Sequence, residues 1–460
     1  MIKKIKWKDH SVLGNLELNL CNAEGKPYNT IILAGENGTG KTTILETLAE
    51  FLARKSIAPF DFIRYSVGNN EFELHYDEKC NPEHGFHIRT SLKDGQGKYV
   101  NTSSSFNPNQ IEDDLEDIRH YGFSYSKARS GFKTKVVNTV TTMQVDNDKY
   151  NDDDDDDFTS VKQLFVDLSN QDCSEWWDIS KNKMGAKIEE FEPKSKLFRF
   201  MGAFNSFFED IRFEKIDNNN SAEKSILFSK NGKNIPVDSL STGEKQIVFR
   251  GAKLLRNMKS VKGGIVLIDE PELSMHPKWQ VKILDYYRNL FTENGTQIAQ
   301  IILATHSDYV IKRALEDENN VLIIVLKEED GLVSAREITK PSVLPTVTNA
   351  ETNYLAFDII MIDYHIQLYG YLQSLIKKEK ITECDKFIIE HPLYNPAKHK
   401  KPYDYKNNHY ETICTYIRNA IDHPDSGKKY TDEELRISTE LLREICSEVS
   451  GKRVSANEDS

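Results

Sequence analysis

The sequence predicts an α/β fold for residues 1–345 and a mostly helical domain for residues 346–460. Two apolar runs typical of buried strands, Thr30–Ala34 and Ile265–Ile268, each lead into a polar motif. After each run, apolar residues recur at helical spacing, which indicates an alternation of strands and helices. At roughly 100–200 residues per domain, the 460 residues allow two or three domains.

The composition excludes two broad classes of protein. Apolar residues make up 38% of the chain, enough for real cores, so wholesale disorder is excluded. Lys plus Arg is 60 and Asp plus Glu is 72, which gives a formal charge of −12. Six of the negative charges form the run Asp152–Asp157, which is typical of a solvated loop. A chain that binds nucleic acid through overall positive charge is excluded, but a local basic groove is not.

The sequence predicts a cytoplasmic protein without a membrane segment. No stretch approaches the roughly 18 consecutive apolar residues that a membrane span needs. The first residues are charged and lack the apolar region of a signal peptide. The six cysteines lie far apart with no CxxC pair, so neither a disulfide framework nor a cysteine-based zinc site is expected.

The segment Gly35–Thr42, GENGTGKT, fits the phosphate-loop pattern GxxxxGK[ST]. Its glycines let backbone N–H groups curl around a β-phosphate, and the following helix adds its N-terminal dipole. In this pattern the lysine reaches the β- and γ-phosphates and the last hydroxyl ligates Mg²⁺, so ATP and Mg²⁺ are the predicted cofactors. The predicted nucleotide-binding residues of the loop are Asn37, Gly38, Thr39, Gly40, Lys41, Thr42 and Thr43.

Two further strands end in groups that suit ATP hydrolysis. Asp269 ends the strand Ile265–Ile268 and can hold Mg²⁺, and Glu270 can polarise the attacking water. His306 follows the strand Ile301–Ala304, where an imidazole can bind the γ-phosphate or orient water. Taken alone, acids at a strand end also suit a surface turn, and a lone histidine also suits a structural role.

The segment Leu240–Gln246, LSTGEKQ, opens a predicted helix with Ser241 at its N-cap. Small residues here expose backbone N–H groups at the positive end of the helix, which favours an anion. A chain cannot easily direct this segment at its own phosphate loop, and a simply capped helix is the other interpretation.

In their order along the chain, which is phosphate loop, LSTGEKQ segment, acidic strand end and His306, the four motifs resemble those of the ATPases of the ABC class, with the SMC/OLD-like branch as the closest likeness. The resemblance implies that Ser241 and Gly243 contact the γ-phosphate bound by another protomer, so a homo-oligomer is expected. It also implies Glu270 as general base and His306 as switch histidine. Thr242 departs from the usual glycine of the signature, and no glutamine of this sequence is assigned to the Q-loop.

The resemblance covers residues 1–325, but about 200 residues separate Lys41 from Ser241. We therefore predict an inserted lobe at about 65–235. No sustained heptad pattern is present, so a long coiled-coil arm is excluded.

The segment Arg418–His423 lies at the end of an amphipathic helix. Pro424 disfavours a helical conformation at His423, so we expect the helix to end near Asp422. The string resembles the R(N)xxxH motif of HEPN domains, many of which are metal-independent ribonucleases. Arg418 and His423 are then a candidate catalytic pair, although many HEPN domains serve only in assembly.

The whole architecture resembles the ATPase subunits of bacterial two-gene antiphage systems, the Septu type first and the PARIS type as a rival. This resemblance implies an ATP-gated sensor and scaffold that oligomerises and controls a separate effector nuclease. Two alternatives remain, namely an ATP-gated HEPN ribonuclease acting by itself and an SMC-like DNA-repair ATPase. Nucleic acid therefore stays open as a partner.

Overall fold

The computed structural model forms two compact units. The first comprises Met1–Val310 with Asn319–Arg336, and the second comprises Ile311–Glu318 with Glu337–Ser460. The sequence-based boundary at residue 345 stays a prediction, and most of the acidic run lies outside the described residues. The structure describes residues 1–54, 57–76, 86–101, 111, 113–129, 131–152, 158–183, 186–217, 222–317, 319–338, 343–405 and 407–451.

The chain up to residue 338 contains both strands and helices. The strands are β1 (Ile2–Trp7), β2 (Glu17–Asn19), β3 (Thr30–Gly35), β4 (Phe60–Val67), β5 (Asn70–Tyr76), β6 (Phe86–Ser91), β7 (Gly97–Asn101), β8 (Phe123–Ser126), β9 (Tyr150–Asp152), β10 (Ile211–Asp217), β11 (Ser225–Lys230), β12 (Lys233–Pro236), β13 (Ile265–Asp269), β14 (Thr292–Glu293), β15 (Thr296–Gln297), β16 (Gln300–Thr305), β17 (Val321–Glu329) and β18 (Leu332–Ile338). The helices are α1 (Lys41–Leu52), α2 (Thr159–Asn182), α3 (Ile188–Phe191), α4 (Phe198–Phe207), α5 (Thr242–Lys245), a π-helix (Gln246–Arg250), α6 (Gly251–Arg256), α7 (Pro277–Leu290) and α8 (Asp308–Leu315).

The central sheet of the first unit carries the predicted motifs. Within the described ranges its order is β18-β17-β3-β16-β13-β8-β9, with β3 parallel to both β16 and β17 and with β13 parallel to β16 and β8. The residues of β3 and β13 are all buried, as their continuous apolar sequence predicts. Because these strands are parallel, their carboxyl ends meet at one edge of the sheet.

The predicted inserted lobe, residues 65–235, contributes strands to more than one sheet. Strands β5, β6 and β7 extend an antiparallel sheet of order β2-β1-β4-β5-β6-β7, whereas β8 and β9 lie in the central sheet. Strands β10, β11 and β12 form a separate antiparallel sheet. Apolar residues of α1 pack in one core with both the antiparallel and the central sheet.

The second unit is mostly helical, as predicted. Its core is built from apolar residues and includes the buried thiols of Cys384, Cys414 and Cys446. Burial raises the pKa of Cys384 and of Cys414 to about 12, so both pack as protonated, weakly polar groups. The elements are α9 (Asn349–Phe357), α10 (Ile362–Leu375), α11 (Ile381–Glu390), α12 (Pro396–His399), β19 (Lys400–Tyr405), β20 (Asn408–Thr412), α13 (Ile413–Asp422) and α14 (Asp432–Val449).

Helix length and polarity bear on the expected lack of a membrane segment. In the ranges that the structure describes, no helix is both long enough and apolar enough to cross a bilayer.

Candidate nucleotide site

The loop between β3 and α1 needs glycine at two points. Gly35 has φ 142°, and a Cβ there would lie 2.5 Å from the carbonyl oxygen of Leu326 on β17. Gly40 has φ 86°, and its Cβ would lie 2.6 Å from Cδ2 of Leu13. Only glycine fits such positions, so the loop turns sharply between the strand end and the first residue of α1. The predicted residues Asn37, Gly38 and Thr39 all lie in this turn.

The ammonium of Lys41 lies over this loop. Its Nζ donates to the carbonyl oxygens of Gly35 (2.9 Å) and Glu36 (2.7 Å), and the residue is 5% exposed. Burial lowers the pKa of Lys41, while the carboxylates of Glu270 and Asp269 act in the opposite direction. A buried ammonium held only by carbonyl oxygens is well suited to bind the oxygens of a phosphate.

Thr42 and Asp269 meet as the predicted Mg²⁺ site requires. The Thr42 hydroxyl donates to Oδ2 of Asp269 at 2.9 Å. Among the described residues, Oδ1 of Asp269 has no hydrogen-bond partner, although the side chain is buried. Burial raises the pKa of Asp269 to about 6, against the effect of the Thr42 hydrogen bond. A hydroxyl beside an orphaned, desolvated carboxylate oxygen fits the oxygen ligands that Mg²⁺ prefers.

Glu270 and His306 form a close pair at the same edge of the sheet. Nδ1 of His306 lies 3.3 Å from Oε1 of Glu270. This hydrogen bond is the largest of the causes that act on the pair, and it lowers the pKa of Glu270 and raises the pKa of His306. Glu270 has φ 41°, an uncommon conformation for a side chain with a Cβ, and its N–H donates to the carbonyl of Ala304 at 2.9 Å. The pair therefore holds an ionised carboxylate in a fixed, strained turn.

A third carboxylate, Glu272, positions His306. Its Oε1 accepts hydrogen bonds from the Thr305 hydroxyl (2.6 Å) and from the backbone N–H of His306 (3.1 Å). Glu272 is almost fully buried, and burial raises its pKa. Sequence analysis did not predict this contact, because it joins segments 34 residues apart.

Sequence reasoning missed Arg250, which joins the ends of two strands. Its fully buried guanidinium donates to the carbonyl oxygens of Asp269 (2.7 Å), Glu270 (3.2 Å) and Ser126 (3.0 Å). It also donates to the Ser126 hydroxyl (2.8 Å) and to Oε1 of Gln246 (3.4 Å). Arg250 ends a π-helical turn, a feature that is frequent at functional sites. The feature of the sequence that could have identified Arg250 is its place within an otherwise apolar stretch of predicted helix.

The signature segment begins a helix, as predicted. Ser241 is the N-cap of α5, and its side chain and that of Glu244 form a reciprocal capping box. The cap uses the Ser241 oxygen as an acceptor, so its O–H remains able to donate to an anion. A Cβ at Gly243 would lie 2.9 Å from the carbonyl oxygen of Ser274, which explains the glycine there.

The candidate pair of the second unit lies at the end of α13. The helix ends at Asp422 and His423 follows it, which confirms the predicted boundary. Nη2 of Arg418 lies 2.7 Å from Oδ2 of Asp422, and the His423 ring stacks on Tyr405 with centroids 5.1 Å apart. A HEPN domain and a catalytic role for Arg418 and His423 stay predictions.

Comparison with known proteins identifies the first unit. The family described as "AAA domain, putative AbiEii toxin, Type IV TA system" matches residues 31–312, which is more than half of the chain and includes the loop, strand ends and signature segment. This chain belongs to that AAA family. The match agrees with the predicted α/β class of the fold and with the enzyme class, and the chain is an ATPase.

Two relatives extend the likeness of this AAA protein to most of its length. It is 24% identical to "Retron Vc95 probable ATPase" of Vibrio cholerae serotype O1 biovar El Tor, over 69% of this chain and 74% of the relative. It is 25% identical to "Septu protein PtuA" of Bacillus thuringiensis, over 74% of this chain and 79% of the relative. The predicted resemblance to Septu ATPases is confirmed. Among solved structures, the SMC head domain from Thermotoga maritima is 12% identical with a TM-score of 0.37, over 73% of this chain and 98% of that chain.

Replacing Arg250 with lysine is expected to lower the turnover of ATP by roughly 10²-fold, because small displacements of reacting groups have effects of that size. Lysine keeps the charge but cannot bridge several carbonyl oxygens as the guanidinium does. Steady-state hydrolysis measured together with nucleotide affinity checks this expectation. Arg199→Lys is the control, since Arg199 pairs with Asp146 elsewhere in the unit. Equal losses in both variants would contradict a specific role for Arg250.

Proposed function

We propose that this chain is a cytoplasmic ATP-binding and ATP-hydrolysing sensor and scaffold of an antiphage defence complex, which oligomerises and controls a separate effector nuclease. The observation that carries the enzymatic part is the convergence of two contacts at one sheet edge. These are the Thr42–Asp269 hydrogen bond and the Glu270–His306 pair, both beside the ammonium of Lys41.

Each group has a distinct part in the proposed reaction. Backbone N–H groups of the loop bind the β-phosphate, and Lys41 binds the β- and γ-phosphate oxygens. Thr42 and Asp269 would hold Mg²⁺, which supplies charge neutralisation to the phosphates when bound. Glu270 accepts a hydrogen bond from the attacking water and polarises it, while His306 fixes the Glu270 carboxylate.

The signature segment supports the proposed oligomerisation. Ser241 and Thr242 are exposed at the start of α5, and the capping box does not use the hydroxyl proton of Ser241. By the resemblance to ABC-class ATPases, Ser241 and Gly243 of one protomer bind the γ-phosphate held by another. ATP then joins the protomers, and its hydrolysis separates them.

The defence role rests on the relatives. Septu and retron proteins resemble this chain over about 70% of its length or more, beyond the residues that the AAA family covers. In two-gene systems of this type, the ATPase and the nuclease are separate chains. We infer that this ATPase, too, acts on a partner nuclease.

Replacing Glu270 with glutamine is expected to trap ATP and to hold the oligomer together. The residues that bind ATP are unchanged in this variant, but the attacking water loses the carboxylate that polarises it. Light scattering coupled to gel filtration, with ATP, with ADP and without nucleotide, measures the assembly. Glu50→Gln on the exposed side of α1 is the matched control. An assembly that responds to neither nucleotide nor Glu270→Gln would contradict the scaffold proposal.

A second candidate function is an ATP-gated ribonuclease of the second unit. The observation that favours it is the position of His423 directly after α13, with the Arg418 guanidinium one turn earlier. An imidazole can act as general acid or base on a phosphodiester, and a guanidinium can bind its phosphate.

This candidate predicts RNA cleavage by the purified chain that persists in EDTA and is lost in His423→Ala. Labelled tRNA and plasmid DNA are incubated with Mg-ATP or with EDTA, and the products are separated on gels. His409→Ala, which changes an exposed histidine of the β19–β20 hairpin, is the control. Cleavage that persists in His423→Ala would contradict the ribonuclease proposal. No cleavage by any variant would favour the scaffold proposal.

A further inference from the structure

The corner between α9 and α10 exposes a run of large apolar side chains. Ile359, Met361 and Ile362 are 50%, 39% and 45% exposed. Ile360, which lies among them, packs partly against the core of the second unit. Single exposed apolar residues are ordinary at a protein surface, but several in a row indicate a surface that another molecule covers.

The backbone holds this corner in one conformation. Asp358 ends α9 with φ 56°, and its N–H donates to the carbonyl oxygen of Tyr354 at 3.1 Å. The N–H of Ile359 donates to the carbonyl oxygen of Asn353 at 3.2 Å. The guanidinium of Arg436 on α14 donates to the Asp358 carboxylate (2.9 Å) and to the Asp358 carbonyl oxygen (3.1 Å). The exposed side chains are therefore presented by a preorganised turn, which lowers the entropic cost of binding.

Carboxylates border the apolar run on both sides. Asp358 precedes it, and Asp363, in the first turn of α10, follows it and is exposed. Arg436 is shared by two acids, since its Nη1 lies 2.9 Å from Oδ1 of Asp358 and 3.6 Å from Oε1 of Glu440. The apolar run thus has an acidic border, although one arginine lies within it.

The next turn of α14 adds a further acidic group. Glu444 follows Glu440 by one turn and is exposed. Partial burial and the carboxylates of Glu440 and Glu448 raise the pKa of Glu444, against the effect of Arg443. The Arg443 guanidinium lies 5.3 Å from the centroid of the Tyr354 ring on α9, so this stretch of α14 adjoins the corner. A cation that binds beside Glu440 and Glu444 would relieve the repulsion between them.

The acidic border decides between the candidate occupants of the corner. A two-fold pair of copies would bring the same carboxylates together, and like charges across an interface are unfavourable. A membrane surface that carries anionic lipids would be repelled in the same way. A helix with one apolar face and with lysine or arginine beside that face matches both the apolar run and its border.

We propose that the corner formed by Ile359, Met361 and Ile362 is a docking surface for a cationic amphipathic helix of a partner protein. The apolar face of that helix covers the three side chains, and its lysine or arginine residues pair with Asp363 and Glu444. The inference rests on the proposed function, which requires a partner chain, and adds to it the surface and the chemistry of the contact.

Binding of model peptides to the full chain tests the proposal. A fluorescein-labelled helical peptide of leucine and lysine is titrated by fluorescence anisotropy, beside a peptide in which glutamate replaces every lysine. The lysine peptide is expected to bind, more weakly as the salt concentration rises, whereas the glutamate peptide is not. The combination of Ile359→Ser with Met361→Ser is expected to weaken binding roughly tenfold, because it removes apolar contact area. Glu444→Lys is expected to weaken binding several-fold and to reduce its salt dependence.

The combination of Leu332→Ser with Val136→Ser is the matched control, because both side chains are exposed in the first unit. It is expected to leave the affinity for the lysine peptide unchanged. Equal affinity in all variants, or no binding by the unsubstituted chain, would overturn the proposal. Glu444→Lys alone decides the question if the serine variant of the corner does not fold.

Two other measurements on the serine variant of the corner identify a different occupant. Light scattering coupled to gel filtration shows whether the variant forms a smaller oligomer, and sedimentation with phosphatidylglycerol vesicles shows whether it loses an affinity for lipid. Either result would overturn the proposal, in favour of a second copy of this chain or of a membrane surface. Failure of the proposed function has a different signature, namely an unsubstituted chain whose assembly does not respond to ATP.

Discussion

The nucleotide site depends on a single buried guanidinium. Arg250 lies in the helical segment that follows the signature and donates to backbone oxygens at the ends of both β8 and β13. It therefore fixes the turn that carries Asp269 and Glu270, and an unpaired carbonyl there would be costly because the edge is desolvated. The same segment of chain begins at the exposed Ser241.

Electrostatic balance explains why this edge suits a nucleotide and Mg²⁺. Three carboxylates lie close together, and burial raises the pKa of Asp269 and of Glu272. Glu270 departs from that trend because His306 holds a hydrogen bond to it, which lowers its pKa. A divalent cation beside Asp269 would favour its ionised form, so cation and phosphate are each better bound in the presence of the other.

The sequence predicted the parts of the site that local motifs encode. The loop around Lys41 and the pairing of Thr42 with Asp269 follow from spacing and strand order. Arg250 was missed because its partners lie in three separate segments, and helical periodicity alone marks it only as a polar residue on an apolar face. The place of β8 in the central sheet was missed because this short strand lies within residues 65–235, where the sequence indicated an insertion rather than a strand of that sheet. The helix end at His423 was predictable since Pro424 constrains it locally.

The central claim is that one protomer's signature segment completes the phosphate site of another. Mixing two variants that are each expected to be inactive, Lys41→Ala and Ser241→Ala, tests it most directly. The account predicts that each variant alone hydrolyses little ATP and that the mixture regains activity, because a mixed pair contains one intact composite site. A mixture as inactive as its components, or a signature variant that is fully active alone, would contradict the account.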